Sequence, residues 1–417
     1  MAEHHPISSR FRNTQFVISH SRPDFDEAYA RHVMGLYGRS TVGRKVVLAP
    51  NLPFLPGHLT DFVRCSYLGL DNHPGIVAGA IAAIRAYGSV HWSCARTRLN
   101  FSLLAELEAR LSELFQCRVV AFSSVMAANM GVLPLIASGH LTAGRKPVVV
   151  FDRLCHASLA VHKPVVSDET PAITIAHNDV GALEDICRKH DRVAYIADGV
   201  YSMGGCAPIA DLLDLQRKYG LFLYIDDAHG ISIFGDRGEG FARSQFPNDL
   251  GNSTIIAASL GKGFGASGGI VMLGTAAQED LIRRYALPYV FSAAPNLAAV
   301  GAALASASLH ATPELGLRQA ALAERIRSFD QQVTTAERGQ PLPIRLVPLG
   351  GEREAIARAR WLLEQGFYTS ATFFPTVARG RAGIRVCLTA THTPEDIDQL
   401  CRLLKTPQGT GNAGPLA

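Results

Sequence analysis

The sequence predicts an α/β fold in which a large domain with a mostly parallel, seven-stranded sheet precedes a smaller C-terminal α/β domain. Two observations lead to this prediction. From about residue 117, short β-rich runs alternate with amphipathic segments, which is typical of βαβ units around a parallel sheet. The chain of 417 residues is also long for one domain, and its composition becomes rich in Ala, Leu and Arg after Pro295.

The large domain is predicted from short apolar runs and the helical patterns between them. The expected strands are Arg118 to Phe122, Pro147 to Phe151, Ala172 to Ala176, Val193 to Ala197, Leu221 to Ile225, Thr254 to Ala258 and Gly269 to Leu273. Helices are expected between most of these strands. Asp179 to His190 and Ala210 to Tyr219 both carry apolar residues at helical spacing.

Outside the large domain, the sequence predicts a smaller set of helices and strands after it and an arm before it. A long helical stretch is expected to run to about Thr335, and the elements expected after it are the strand Ile344 to Val347, the helix Arg353 to Gln365, the strand Ile384 to Leu388 and a last helix capped by Thr393. We expect residues 1–58 to form an arm with an early hairpin, 59–290 the large domain, and 291–417 the small domain. A frayed tail is expected after Lys405.

Composition excludes several classes of protein. The eight cysteines show neither a CxxC pair nor metal-ligand spacing, so no metal site is expected, and they suit a reducing compartment. The start lacks the apolar core of a signal peptide, and no run approaches the roughly 20 apolar residues of a membrane span. We therefore expect a soluble, cytoplasmic protein. A net charge of +4 is too small to predict nucleic-acid binding, although it is compatible with an anionic substrate.

A lysine between glycines is the most informative motif. Lys262 lies in Ser259-Leu-Gly-Lys-Gly-Phe-Gly265, directly after a predicted strand. Flanking glycines let the backbone turn sharply and approach a ligand closely, and the strand fixes where the amine points. This arrangement is typical of a lysine that forms a Schiff base. The alternative is an exposed turn lysine.

Other polar side chains follow neighbouring predicted strands. Asp226 and His229 come directly after Leu221 to Ile225, and His156 follows the strand that ends at Phe151. Open α/β sheets bind ligands at this edge. A pyridoxal 5'-phosphate (PLP) enzyme needs a lysine for the cofactor and a carboxylate for its ring nitrogen. Taken singly, Asp226 could cap a helix, His229 could be a core histidine and His156 could begin a helix.

A phosphate site is predicted less specifically. Ser124, Val125 and Met126 lie where the first predicted strand of the sheet passes into a helix. Backbone N–H groups at a helix start, together with serine hydroxyls, can bind a phosphate group. The segment has neither the glycine nor the lysine of a P-loop, so alone it is a weak signal.

Five segments together closely resemble the α-oxoamine synthases, in the order in which that family has them. The segments are Asp152 to Ser158, Ala176 to Val180, Gly199 to Met203, Asp226 to Gly230 and Ser259 to Gly265. The family contains 8-amino-7-oxononanoate synthase, 5-aminolevulinate synthase and serine palmitoyltransferase. The resemblance extends from about Tyr67 to Asp398. It implies the fold of a fold-type I PLP-dependent transferase.

The resemblance also implies a role for each matching residue. Lys262 would carry PLP, Asp226 would pair with the ring nitrogen, His156 would stack on the ring, and His229 with Ser202 would bind the phenolic oxygen. Ser124, Val125, Met126 and Ser259 would hold the phosphate. Arg385 would bind the amino-acid carboxylate, which suits a guanidinium group, although it could instead be a solvated strand arginine. In a homodimer, Ser292 could reach the phosphate bound by the partner.

The implied reaction is a decarboxylative condensation of an amino acid with an acyl thioester of CoA or an acyl carrier protein, giving an α-amino ketone. This chain departs from the family pattern at Cys65, where asparagine is usual, at Val125 and Met126, and in residues 89–96, where a glycine-rich segment is common. We therefore expect a substrate of specialised metabolism and a substrate-binding role for Cys65. An aminotransferase of the same fold and a catalytically silent partner subunit remain alternatives.

Overall fold

The computed structural model describes residues 14–41, 43–48 and 55–407. The predicted frayed tail from residue 408 and the first 13 residues of the predicted arm lie outside these described residues. The described chain forms two compact units, one of residues 68–319 and the other of 14–67 with 320–407. These breaks differ from the expected boundaries at 58 and 290. The helix Leu297–His310 joins the larger unit because Gly301 on it packs closely against Gly79.

The sheet of the larger unit confirms the predicted mostly parallel, seven-stranded architecture within the described residues. From one edge to the other its strands are Arg118–Phe122, Gly269–Leu273, Thr254–Ser259, Phe222–Asp226, Val193–Asp198, Val148–Asp152 and Ala172–Ile175. Only Gly269–Leu273 runs antiparallel, and it does so to both of its neighbours. Each of the seven strands predicted for this sheet is present, with ends that move by at most one residue.

Helices cover both faces of this sheet. They are Pro74–Tyr87, Ser102–Phe115, Val125–Ala137, Ala157–Ala160, Lys163–Glu169, Val180–Lys189, Ile209–Tyr219, Ala276–Tyr285, Leu287–Phe291 and Leu297–His310. Side chains of successive strand residues enter different apolar clusters, with Val119 in one and Val120 in the other. Because both faces are buried, the strands have continuous apolar sequences rather than alternating ones. In the described part of the chain, no helix is long and apolar enough to cross a membrane.

The smaller unit contains two small sheets and several helices. One sheet contains Gly38–Ser40, Lys45–Leu48, His58–Asp61 and Phe367–Tyr368, and the other contains Ile344–Gly350, Ala382–Cys387 and Ser370–Thr372. The helices are Thr14–Ala30, Glu352–Glu364 and Pro394–Lys405. The expected long helical stretch is in fact two helices, Leu297–His310 and Glu314–Gln332, and the second spans the break between the units. Pro313 lies between them.

Among the described residues before His58, the helix Thr14–Ala30 is the one element that the sequence did not predict. It has Pro23 in its interior, and its described buried side chains are only Ser21 and Ala28. Such a helix has no apolar stripe that a periodicity argument could detect. The last helix, by contrast, begins with the expected Thr393 cap, which forms a reciprocal capping box with Asp396.

Candidate active site

The side chains that the sequence singled out lie at the carboxyl ends of neighbouring parallel strands in the larger unit. Asp226 ends the strand Phe222–Asp226, and His229 lies in the turn that follows it. Lys262 follows the next strand, Thr254–Ser259. The Nζ atom of Lys262 lies 2.8 Å from Nε2 of His229. The structure thus brings the predicted Schiff-base lysine and one predicted histidine into direct contact.

The glycines around Lys262 are required by close packing. A Cβ atom on Gly263 would lie 2.7 Å from the carbonyl oxygen of Ile231. Gly265 has a φ of +75°, and a Cβ atom on it would lie 2.3 Å from Cβ of Leu70. Residues with side chains rarely adopt this φ, so glycine is needed there. The turn holds the lysine backbone in one place, as the motif predicted.

Asp226 is buried and accepts hydrogen bonds on both carboxylate oxygens. The Nδ2 atom of Asn129 donates to Oδ2 at 3.0 Å, and the backbone N–H of Ala228 donates to Oδ1 at 3.1 Å. Buried carboxylates need such donors, because the desolvation of an unpaired charge is costly. The carboxylate is therefore fixed in orientation at the sheet edge, where it can receive a protonated ring nitrogen.

His156 begins the short helix Ala157–Ala160 and is held by two neighbours. Its backbone N–H donates to Oδ1 of Asp198 at 3.0 Å, and its Nδ1 lies 2.8 Å from Oγ of Ser158. Burial lowers the pKa of His156, Asp226 opposes this change, and Lys262 adds to it. The imidazole is thus biased towards its neutral form, which can stack on a flat ring without adding a positive charge.

Asp198 is a buried carboxyl that the sequence reasoning missed. Burial raises its pKa well above the usual range, and the neighbouring charge of Asp226 raises it further. It ends the strand Val193–Asp198, which pairs with Phe222–Asp226, so Asp198 and Asp226 are register partners. A second carboxylate at this position is a signal that strand alignment could have found.

Asp227, next to Asp226, is a second buried carboxyl that the sequence reasoning did not assign. Its Oδ2 accepts a hydrogen bond from the backbone N–H of Ala242 at 2.9 Å, while Oδ1 has no partner among the described residues. A Cβ atom on Gly230 would lie 2.1 Å from that Oδ1. Burial raises the pKa of Asp227 to about 8, the Ala242 N–H opposes the rise, and Asp226 adds to it.

His177 lies in the segment Ala176 to Val180, one of the five that resemble the family, and it contacts Asp152 at the end of a neighbouring strand. Its Nδ1 lies 3.0 Å from Oδ1 of Asp152, and Oδ2 of that carboxylate accepts hydrogen bonds from the N–H of Asn178 and the hydroxyl of Tyr195. Burial raises the pKa of Asp152, but the hydrogen bonds from His177 and from backbone N–H groups outweigh it, so the pKa is lowered. This cluster fixes the end of the strand that precedes His156.

The predicted phosphate residues lie around a helix start. Ser124 caps the helix Val125–Ala137, its Oγ accepting from the N–H of Ala127 at 3.1 Å. Gly269 pairs with Ser259 in the sheet, and a Cβ atom on Gly269 would lie 2.4 Å from the backbone of Ser124 and Val125. The helix start therefore packs against the strand end that carries Ser259. Met126 is 54% exposed.

These groups fit PLP. An amine, a buried carboxylate, a neutral imidazole and a helix N-terminus with serine hydroxyls lie along one sheet edge. They match in turn the aldehyde, the ring nitrogen, the ring face and the phosphate of that cofactor.

The two remaining residues that were predicted to bind the cofactor lie just after other elements of the larger unit. Ser202 is half-buried in the turn after the strand Val193–Asp198, and Ser292 is exposed at the end of the helix Leu287–Phe291. The backbone N–H of Ser292 donates to the carbonyl oxygen of Pro288 at 3.2 Å. Their roles towards PLP stay predictions.

The predicted substrate residues form a separate cluster within the smaller unit. Arg385 is half-buried on the strand Ala382–Cys387, and its Nη2 donates to Sγ of Cys65 at 3.8 Å. That sulfur also lies 3.9 Å from Sγ of Cys387. Cys387 is fully buried, and the hydrogen bond from Cys65 followed by burial raises its pKa well above the usual range. The roles of Cys65 and Arg385 towards substrate remain predictions.

Segment 89–96 contains a structural arginine. Arg96 is buried; its Nη1 donates to the carbonyl oxygen of Ala121 at 2.6 Å, and its Nη2 lies 3.3 Å from Oε1 of Glu108. Its guanidinium carbon lies 3.7 Å from the ring centre of Tyr289. Trp92 packs edge-on to Phe101, with ring centres 5.9 Å apart. Arg96 therefore stabilises the fold of the larger unit.

Comparisons with known proteins agree with this geometry. Residues 82–404 match the family described as aminotransferase class I and II. An 8-amino-7-oxononanoate synthase from Geobacter sulfurreducens is 33% identical over 381 residues, which cover 88% of this chain and 91% of that protein. A serine palmitoyltransferase from Bacteriovorax stolpii is 29% identical over 80% of this chain and 78% of its own length.

Solved structures share the fold. Serine palmitoyltransferase from S. paucimobilis, bound to a PLP-myriocin aldimine, is similar with a TM-score of 0.81 over 94% of this chain and 98% of that chain, at 20% identity. An 8-amino-7-oxononanoate synthase from Francisella tularensis is similar with a TM-score of 0.68 over 83% of this chain and 96% of that chain, at 22% identity.

Proposed function

This chain belongs to the aminotransferase class I and II family and, within it, to the α-oxoamine synthases, and we propose that Lys262, Asp226, His229 and His156 carry its reaction. The cofactor is PLP, and the enzyme is an acyltransferase that condenses an amino acid with an acyl thioester. The observation that carries our assignment of residues is the 2.8 Å contact between Lys262 Nζ and His229 Nε2, which follow two neighbouring strands, one of them ending at the buried Asp226.

Bound PLP supplies an electron sink for the negative charge that develops at Cα of the amino acid. Lys262 would bind the cofactor aldehyde, and its amine, once free, would be the group that takes the Cα proton of the amino acid. Asp226 would hold the proton on the ring nitrogen, and His156 would lie against one ring face. In the overall condensation, Cα bonds to the thioester carbonyl carbon as the thiol leaves, and the carboxylate is lost as CO2 while a proton takes its place on Cα.

The remaining residues are assigned to binding. Ser124, the backbone at Val125 and Met126, and Ser259 hold the phosphate, which suits a helix N-terminus because its N–H groups and dipole favour an anion. His229 with Ser202 binds the phenolic oxygen. Arg385 binds the amino-acid carboxylate, for which its planar donors are well suited.

The substrates belong to specialised metabolism in this proposal. Supporting it, Cys65 replaces the family's usual asparagine and contacts Arg385, so the group assigned to the carboxylate has an unusual neighbour. Residues 89–96 lack the glycine-rich segment that is common in the family. The acyl donor is a thioester of CoA or of an acyl carrier protein. The described cysteines are all free thiols, which supports a cytoplasmic location.

We also propose that the enzyme is a homodimer. Supporting this, large apolar side chains are exposed on neighbouring helices of the larger unit, among them Met130, Val165, Leu287 and Phe291. Phe291 is 83% exposed and directly precedes Ser292, the residue proposed to reach the partner's phosphate. Exposed apolar patches of this kind mark interfaces. Met130→Glu is expected to shift the protein towards monomer in sedimentation analysis, and an unchanged sedimentation coefficient would contradict the dimer face.

The first test follows the cofactor. Purified protein with PLP should absorb near the Schiff-base band, lose that band with borohydride, and lack it in Lys262→Ala. Lys218→Ala is the matched control, because Lys218 is exposed and paired with Glu184 on the surface. A colourless protein that ignores PLP would overturn the proposed function.

The second test separates the reaction classes. An amino acid and an acyl thioester mixed with the loaded enzyme should release CO2 and free thiol together. An aminotransferase releases neither, and a catalytically silent partner subunit gives no turnover as the isolated chain. Either result would contradict the proposal.

A further inference from the structure

The fully buried amide of Asn129 connects two of the groups assigned to the cofactor. It lies on the helix Val125–Ala137, which is otherwise almost wholly apolar. Its side chain contacts Tyr224, Asp226 and Ser158, whose sequence separations from it are 95, 97 and 29 residues. None of these contacts is part of the binding roles assigned above.

The direction of each hydrogen bond follows from chemistry. A carboxylate oxygen accepts and an amide nitrogen donates, so the Nδ2 atom of Asn129 faces Asp226 and donates to Oδ2 at 3.0 Å. The second Nδ2 hydrogen is donated to Oγ of Ser158 at 3.0 Å. The Oδ1 atom of Asn129 then accepts from the hydroxyl of Tyr224 at 2.6 Å, which fixes the orientation of the amide.

The same chain of donors reaches His156. Because Oγ of Ser158 accepts from Asn129, its own hydroxyl proton is free to be donated to Nδ1 of His156, 2.8 Å away. The backbone N–H of Ser158 also donates to this Nδ1, at 3.2 Å. A nitrogen that accepts two hydrogen bonds carries no proton. His156 is therefore a neutral imidazole with its proton on Nε2.

We propose that Asn129 is a positioning residue that couples the carboxylate of Asp226 to the tautomer of His156, so that one amide aligns the partners of the ring nitrogen and the ring face. The significance of this coupling for catalysis rests on the proposed function. A protonated ring is already positively charged, and an imidazolium stacked on it would be repelled. By keeping Nδ1 an acceptor, the network excludes that second positive charge, so that Asp226 can hold the proton on the ring nitrogen.

The test reads the tautomer directly. Nitrogen-15 NMR of histidine-labelled, cofactor-free protein, with His156→Gln used to assign the signals, should show His156 protonated at Nε2 and bare at Nδ1. Asn129→Asp has the same shape, but its carboxyl group shares a single proton with Asp226 and has none to donate to Ser158, so Ser158 turns its own proton to the new carboxyl group and the Nδ1 signal moves towards the protonated form. Tyr224→Phe, which leaves the amide without its anchor, should give a mixture of tautomers.

The tautomer measurement has its own control variant, and its failure can be distinguished from failure of the proposed function. Asn252→Asp changes an exposed asparagine outside this network and should leave the His156 signals unchanged. In the loaded enzyme, Asn129→Asp should lower turnover about tenfold and move the pH profile, which a purely structural loss would not do. A wild-type His156 protonated at Nδ1, or a tautomer unaffected by Asn129→Asp, would overturn the inference. Failure to bind PLP would instead overturn the proposed function, because the tautomer is measured without it.

Discussion

Two regions of the molecule differ in the contacts that hold their own side chains in place. One is the PLP edge of the larger unit, formed by His156, Asp226, His229 and Lys262, and the other is the cluster of Cys65 and Arg385 in the smaller unit. At the PLP edge, nitrogen and oxygen atoms meet at 2.8 to 3.1 Å, as for Lys262 with His229 and for Asp226 with Ala228. In the smaller unit, the sulfur of Cys65 accepts from Nη2 of Arg385 at 3.8 Å and lies 3.9 Å from Sγ of Cys387. Thiols are weak, polarisable partners that tolerate a change of neighbour.

This difference indicates in which region substitutions can alter substrate preference without loss of the cofactor site. The hydrogen-bonded groups of the PLP edge form a directional network, in which a substitution removes a buried hydrogen bond. Its members are therefore costly to replace. A sulfur-lined cluster can be altered at less cost. The departures from the family pattern at Cys65 and in the cofactor turn fit this view, because Val125 and Met126 are assigned to phosphate binding through backbone groups rather than through their side chains.

The strongest effect is expected within the directional network. Asp226→Asn keeps the size of the side chain but cannot hold a proton on the ring nitrogen, so turnover should fall by about 10² to 10⁴, the range of an acid–base contribution. Stopped-flow and steady-state kinetics would measure this while absorbance reports retained PLP. Asp185→Asn, at an exposed helix position, is the control. Near-normal turnover in Asp226→Asn would remove the carboxylate from the proposed chemistry.

A smaller and more selective effect is expected at Arg385. A charge-assisted hydrogen bond contributes about 1.5–3 kcal/mol, so Arg385→Ala should raise KM for the amino acid about tenfold to a hundredfold while PLP binding persists. Arg385→Lys should recover part of the loss, because the charge remains but the planar fork does not. Arg381→Ala, an exposed arginine just before the same strand, is the control. Unchanged kinetics would contradict the carboxylate role.

The sequence was sufficient to predict the strands of the sheet and to locate the polar motifs at its edge. Buried parallel strands are continuous apolar runs, and the groups that end them, such as Asp226 and Lys262, lie in short contiguous motifs. Asn129 could not be found in this way, since its partners are remote in sequence and its only local signal is one polar residue on an apolar helix. The helix Thr14–Ala30 was missed because it lacks an apolar stripe.

Asp227 offers a pH test of the directional network. Its pKa of about 8 in the folded protein exceeds the usual value of an unfolded aspartate, about 3.9. The stabilising contribution of the protonated form is therefore complete below pH 4 and is lost as the pH rises towards 8. Relative to Asp227→Asn, which cannot ionise, the wild-type free energy of unfolding should fall by about 1.4 kcal/mol per pH unit in that window.

Urea unfolding at pH 5, 6 and 7 would measure this difference between Asp227→Asn and wild type. Asp236→Asn is the control, since Asp236 is exposed and its variant should follow the wild-type pH dependence. Parallel curves for Asp227→Asn and wild type would mean that Asp227 is ionised in the folded protein. The buried network would then hold two adjacent negative charges, and the contrast with the sulfur cluster would be weaker than the distances indicate.

The smallest effect is expected at Cys65. Cys65→Asn restores the family's usual residue and replaces a weak sulfur acceptor near Arg385 by an amide oxygen, a stronger one. Because the cluster tolerates exchange, kcat/KM for a given substrate pair should change by less than about tenfold, the equivalent of one ordinary hydrogen bond. Cys117→Ala, a half-buried cysteine of the larger unit, is the control. Comparing amino acids and acyl thioesters should show a changed order of preference with PLP absorbance unaltered. A loss as large as that of Asp226→Asn would show that the sulfur contacts are as exacting as the directional network and would end the distinction between the two regions.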